Sequence, residues 1–143
     1  MRISFILFFL CGTLGSLRAQ DLEAHRWKER VLLLITRDLK TPEYIRQTHA
    51  LVQQPEELEE RRLVVYTLME NRYAEGLPPG TWATGVLERY MSGEANTGFR
   101  VVLLGLDGGV KLDEPSFVPP ENVWTLIDGM PMRKAALQNR DKF

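Results

Sequence analysis

Phe99-Arg100-Val101-Val102-Leu103-Leu104-Gly105-Leu106-Asp107-Gly108-Gly109-Val110-Lys111-Leu112 is the stretch whose reading decides the fold. Residues 99–106 have the length and apolar character of a strand. Asp107-Gly108-Gly109 then supplies glycines that tolerate positive φ, and Val110-Lys111-Leu112 begins a return strand, so the segment reads as a hairpin.

Two more strand-length apolar runs lie upstream, Val31–Thr36 (VLLLIT) and Leu63–Met69 (LVVYTLM). Unbroken apolar runs suit strands covered on both faces, as in a parallel sheet under helices. Between them Thr41-Pro42-Glu43 reads as N-cap, first helical residue and first-turn acid. Tyr44, Ile45, Thr48, Leu51 and Val52 form one helical stripe that Pro55 closes. Residues 56–62 allow a short helical turn. Residues 71–80, with Gly76, Pro78, Pro79 and Gly80, read as a loop, residues 81–91 as a helix aligning Trp82, Val86 and Tyr90, and residues 92–98 as a second loop. After the hairpin, Pro119-Pro120-Glu121 opens a final helix with Val123, Trp124 and Ile127 on one face, and Gly129 stops it. Met130-Pro131-Met132 packs back or leads out, and residues 134–143 form a polar tail expected to fray.

The order is β-α-β-α-β-β-α. A right-handed crossover makes the first two strands parallel neighbours, and the hairpin adds two antiparallel ones. The expectation is an α/β, thioredoxin-like domain: a four-stranded mixed sheet with helices on both faces, spanning residues 20–133.

The N-terminus sets the compartment. Met1 and Arg2 carry positive charge, residues 3–14 are an almost unbroken apolar run, and residues 15–19 are small and polar enough for cleavage. This is the order of a secretory signal peptide over residues 1–19, cut after Ala19. An apolar run of 12 residues is too short for the roughly 20 that a spanning helix needs. Export to the periplasm or outside the cell follows, with no membrane attachment after cleavage. Removing Arg2 and Arg18 leaves 16 basic residues against 19 acidic, a net charge of −3, which offers no electrostatic footprint for nucleic acid. The one cysteine, Cys11, lies inside the signal, so residues 20–143 contain no thiol. Exported small domains often use disulfide staples; this one relies on its apolar core.

Four motifs carry a resemblance. They are Trp27-Lys28-Glu29-Arg30-Val31-Leu32-Leu33, Glu60-Arg61-Arg62-Leu63-Val64-Val65, residues 98–112 around the hairpin, and Leu126-Ile127-Asp128-Gly129-Met130-Pro131-Met132-Arg133. Through them the chain resembles the prokaryotic DUDES domains, an exported family of unknown function, over about residues 26–133. Related domains occur in animal matrix proteins of the sushi-repeat and coiled-coil-domain-containing type. The resemblance implies a thioredoxin-like fold and brings no established activity. The family often has Lys before the Asp-Gly-Gly turn; Leu106 stands there in this chain, so no role resting on that lysine carries over.

Thiol redox chemistry requires a thiolate. Where a thioredoxin carries Cys-X-X-Cys, this chain has Arg37-Asp38-Leu39-Lys40, and where such proteins carry a cis-proline it has Asn96-Thr97-Gly98. A zinc site needs three or four convergent ligands, but the histidines are only His25 and His49, and His49 falls on the apolar stripe as an edge-of-core residue. Ser92 and Ser116 lie in no nucleophile elbow. Glu56, Glu57, Glu59 and Glu60 read as a solvated acidic face. No catalytic residue, metal or cofactor is expected.

Topology supplies the one candidate site. Arg30 precedes the first strand, Arg61 and Arg62 precede its parallel neighbour, Asp107 ends the antiparallel third strand, and Arg133 follows the last helix. All five are expected at one pole, opposite the ancestral redox end. At least one arginine is expected to reach the Asp107 carboxylate or a neighbouring backbone carbonyl. This set reads either as a network tying strand ends together or as a site for an acidic ligand or partner. The preferred reading is a non-catalytic binding module whose partner is another exported protein or an envelope or matrix component. The alternative is an enzyme of non-thiol chemistry using the loop Arg37–Lys40.

Overall fold

The computed structural model describes residues 20–85 and 98–141. The expected signal peptide, most of the expected 81–91 helix and the Asn96-Thr97 pair lie outside the described residues. The elements are α1 (Gln20–Glu23), β1 (Arg30–Thr36), α2 (Pro42–Val52), α3 (Pro55–Glu60), β2 (Leu63–Leu68), β3 (Arg72–Glu75), β4 (Trp82–Thr84), β5 (Phe99–Leu104), β6 (Val110–Glu114), α4 (Pro120–Asp128) and α5 (Pro131–Arg140). They build one mixed sheet in the order β4-β3-β2-β1-β5-β6. β1 pairs in parallel with β2, Arg30 opposite Leu63, and antiparallel with β5, Val31 opposite Leu104.

The central strand explains the unbroken apolar reading. Leu32 and Leu34 belong to one core, with Tyr44 and Leu51 of α2 and Val123, Trp124 and Ile127 of α4. Val31 and Leu33 belong to the other, with Tyr66, Leu68, Tyr73, Val102 and Leu104, against which Leu22 of α1 packs. Alternate side chains thus leave opposite faces of the sheet and both sets are buried.

The sheet has six strands, not four. Residues 71–80, expected as a loop, hold β3, and Trp82–Thr84, expected as the start of a helix, form β4, which pairs with it. Aromatic and β-branched residues favour an extended edge strand at residues 82–84, and the Arg72 guanidinium stacks 4.5 Å from the Trp82 ring centre. Among described residues, α2 and α4 cover one face of the sheet, whereas the other receives only Leu22 of the short α1.

The α2 stripe is rotated from the expected one. Tyr44, Gln47 and Leu51 are its buried residues, while Ile45 and Val52 are exposed, as is His49. Gln47 replaces the apolar contact with a pair of hydrogen bonds: its Nε2 donates to the Val118 carbonyl and its Oε1 accepts from the Val118 N–H, both at 2.8 Å. Thr41 makes no side-chain cap; its hydroxyl donates to the Asp38 carbonyl at 2.7 Å. Proline opens α2, α3, α4 and α5 in turn, at Pro42, Pro55, Pro120 and Pro131, since its fixed φ suits the first helical position. The segment expected to pack back or lead out over residues 130–132 and to fray over 134–143 instead forms a ten-residue helix, Pro131–Arg140.

Two variants test this architecture. Gln47→Leu leaves both Val118 backbone groups buried without partners, each worth about 1–3 kcal/mol, so denaturant unfolding is expected to show a loss of at least ~2 kcal/mol; a neutral change contradicts the assignment. In the β5–β6 turn Gly108 has φ +76° and Gly109 does not have a positive φ. Gly108→Val is accordingly expected to cost about 1–2 kcal/mol and Gly109→Ala less; the reverse order contradicts the turn geometry.

Candidate functional site

The pole at which β1 begins is built by register. Arg30 is the first residue of β1, and its N–H donates to the Arg62 carbonyl at 2.8 Å. Arg61 caps α3 and Arg62 follows in a left-handed conformation, φ +47°, a common way to end a helix. The β5–β6 turn returns to the same end, where the Trp27 N–H donates to the Leu106 carbonyl at 2.7 Å. α4 ends there at Asp128, and α5 starts from it.

Asp128 is the acid that organises the pole. Its Oδ2 accepts from Arg61 Nη2 at 2.6 Å and its Oδ1 from Arg133 Nε at 3.1 Å. Arg61 also pairs with Glu57, and Arg133 Nη2 donates to Glu60 Oε1 at 2.7 Å. Arg61 and Arg133 are both buried. Burial alone raises the Asp128 pKa, but the hydrogen bonds from Arg61 and Arg133 outweigh it and hold the carboxyl below its ordinary range. Burial likewise works against Arg61, and Asp128 and Glu57 reverse the effect, so its pKa is raised.

Arg30 differs. Only 3% of it is exposed. Its Nη1 donates to the Arg61 carbonyl at 2.9 Å, and its Nε is buried with no acceptor. No carboxylate pairs with it among the described residues. Burial pushes its pKa down, and the positive Arg62 and Arg133 push it further, against a weaker opposing pull from Asp128.

Asp107 does not meet the arginines as expected. Its Oδ1 accepts from the Gly109 N–H at 3.0 Å, and its Oδ2 pairs with Lys111 Nζ at 3.0 Å. The Gly109 N–H, then Lys111, lowers its pKa. The reason is local: the turn directs the carboxylate to its own backbone and to the return strand, four residues on. Arg62 is exposed and in no ion pair among the described residues. The five expected residues thus divide. Arg61 and Arg133 bind Asp128, Arg62 stands exposed outside that clamp, and Arg30 and Asp107 line a shared pocket without touching.

That pocket measures about 410 Å³ and is walled by Trp27, Leu106, Met130, Pro131 and Met132, with Arg30, Gly105, Asp107 and Lys111. Trp27 is 59% exposed and Met132 54%. Trp27 also takes φ +65°, an outlier for a bulky residue. A second pocket of about 520 Å³ lies at the opposite end of the sheet, lined by Arg37, Met69, Glu70, Asn71, Arg72 and Thr84. There Asp38 Oδ1 accepts from the Lys40 N–H at 2.9 Å, so the carboxylate proposed for chemistry holds a turn. On the second core face His25 Nδ1 pairs with Glu29, its Nε2 lies 2.8 Å from the Tyr66 hydroxyl, and Tyr66 donates to Glu75 at 2.9 Å. No three His, Cys, Asp or Glu residues are grouped to hold a metal among the described residues.

Asp128→Asn leaves two buried guanidiniums short of an anion. A loss of about 2–3 kcal/mol is expected, below the 3–5 kcal/mol for a fully buried pair because a third of the Asp128 side chain is exposed (34%). A folded-state pKa below the unfolded one contributes stability above the unfolded pKa, 3.8, and that stability is lost as pH falls through the folded value. Unfolding measured below pH 4 is therefore expected to be flatter with pH in Asp128→Asn than in the parent. Equal slopes contradict the assignment.

No curated protein matches the chain. A solved structure with the same fold is that of reduced Plasmodium vivax 2-Cys peroxiredoxin: TM-score 0.50, 14% identity, 85% of each chain covered. At that identity the likeness establishes the thioredoxin-like fold and nothing about activity. The family model described as a domain of unknown function, DUF4174, matches residues 21–136. The chain belongs to the DUF4174 family.

Proposed function

We propose that the chain is an exported, non-catalytic thioredoxin-like binding module, and that its partner, another exported protein or an envelope or matrix component, docks on the pole where β1 begins. The observation that carries this reading is the apolar pocket at that pole, floored by Arg30 and edged by the exposed Trp27 and Met132. Large side chains left in water around a concave apolar site are a signature of binding. The signal-like residues 1–19 support export, and the lack of cysteine after Cys11 removes thiol chemistry. The resemblance to prokaryotic DUDES domains, and through them to animal matrix proteins, supports an interaction role. Within the predicted set, Arg30 and Asp107 face the partner, Arg62 lies at its rim, and Arg61 and Arg133 hold the frame.

The second reading, non-thiol chemistry around Arg37–Lys40, draws on the 520 Å³ pocket that Arg37 lines. Turnover of a metabolite that disappears in a folded Asp38→Asn variant would favour it.

Crosslinked capture from periplasmic and secreted fractions tests the preferred reading. A protein or envelope component held by the parent and lost from Trp27→Ala is the expected result, with the melting temperature unchanged because Trp27 is exposed. Identical capture by both forms contradicts a partner at this pole.

A further inference from the structure

We infer that the pocket between Trp27, Leu106, Met130 and Met132 takes an apolar group ending in a carboxylate, and that Arg30 is the counter-ion waiting for it. The inference deepens the binding reading above and rests on it.

Three guanidiniums are buried at this pole, and two are balanced by the chain itself. Arg61 holds Glu57 and Asp128; Arg133 holds Glu60 and Asp128. Arg61 Nε also lacks an acceptor, but that guanidinium already carries two carboxylates. Arg30 has a single backbone carbonyl and, among the described residues, no carboxylate in direct contact. A buried cation is tolerated when it is paired and strongly penalised when it is not. Asp107, the one acid lining the pocket among the described residues, is paired with Lys111. What Arg30 lacks is a carboxylate in direct contact and an acceptor for its Nε, and a ligand can supply both. A carboxylate fits better than a doubly charged phosphate, because one unbalanced guanidinium offers one positive charge and a planar fork.

The walls define the rest of the ligand. Trp27, Leu106, Met130, Pro131 and Met132 are apolar, and about 410 Å³ falls within the range of small-molecule sites. Trp27 takes an unfavourable positive φ while its N–H donates to the Leu106 carbonyl, and its side chain lies largely in water. Burial of that ring does not offset the strain in the free protein; an apolar ligand seated beneath it would. Methionines on both sides of the α4–α5 junction suit an apolar body of variable shape.

Such a carboxylate has two natural sources, a fatty acid or the C-terminus of a peptide ending in an apolar residue. Calorimetric titration of the purified protein separates them. The probes are octanoate against octanamide, below the micelle-forming concentration, and N-acetyl-Phe-Leu as free acid against its amide. One of the acids is expected to bind about tenfold or more tightly than its neutral counterpart. Arg30→Gln is expected to erase that difference. Should Arg30→Gln fail to fold, Trp27→Ala and Met132→Ala alter exposed residues and are each expected to weaken the acid at least fivefold. The inference is overturned if neither acid binds, if acids and amides bind alike, or if the acid ignores all three substitutions. Acids and amides bound equally but dependent on Trp27 would sink the carboxylate while leaving the pole as a binding surface. The reading of that surface stands or falls separately, on the capture experiment with Trp27→Ala.

Discussion

One carboxylate, that of Asp128, ties together the end of α4, the C-cap of α3 and the first turn of α5 through its bonds to Arg61 and Arg133. An acid at the last residue of a helix opposes the helix dipole, so Asp128 is stable there only because two guanidiniums face it. In return it lets two long cationic side chains be buried at the end of a sheet that has no disulfide to hold it. Trp124 adds to the clamp: its indole N–H donates to Gln54 at 2.9 Å and Arg61 lies over its ring at 5.3 Å. These contacts tie α3, α4 and α5 together at the pole, and with them the segment that carries Met130 and Met132.

The clamp also separates structure from function among the arginines. Arg61 and Arg133 are saturated by acids of the chain; Arg30, beside them, is not. Removing a cation from water has a cost that folding ordinarily offsets with a partner. Where that partner is absent, at the floor of an apolar pocket, a ligand is the natural complement. The opposite end, where a thioredoxin places its thiol, instead uses Thr36, Asp38 and Thr41 to bond one another and the local backbone. The site proposed for recognition lies at the other pole of the same fold.

Much of the frame was legible in the residues. VLLLIT and LVVYTLM are apolar without interruption because both faces of β1 and β2 are covered, and the parallel pairing and the hairpin follow from the crossover and from Gly108. The last helix escaped because Gly129 was read as the end of the helical region and residues 130–132 as a segment packing back or leading out, although Pro131 opens a helix as proline does three times earlier in the chain. Gln47 escaped because nothing in a periodic pattern marks a glutamine that bonds a distant backbone. The β3–β4 ribbon escaped because glycines and prolines outweighed Arg72–Glu75 and Trp82–Thr84, strands too short to show alternation. At the site, strand ends correctly brought Arg30, Arg61, Arg62 and Arg133 to one pole. The identity of the acid did not follow, because Asp107 pairs within its own turn. The signal for Asp128 was present as an acid at a helix C-terminus, which calls for a nearby cation.

The central claim is that recognition occurs at the pole where β1 begins. The most direct test is to follow backbone and indole N–H resonances of the protein while octanoate or N-acetyl-Phe-Leu is added. The account predicts saturable shifts at Trp27, Arg30, Leu106, Lys111 and Met132, with the Trp27 indole among the largest. Shifts gathered instead at Arg37, Glu70 and Arg72, with the Trp27 region silent, would contradict it.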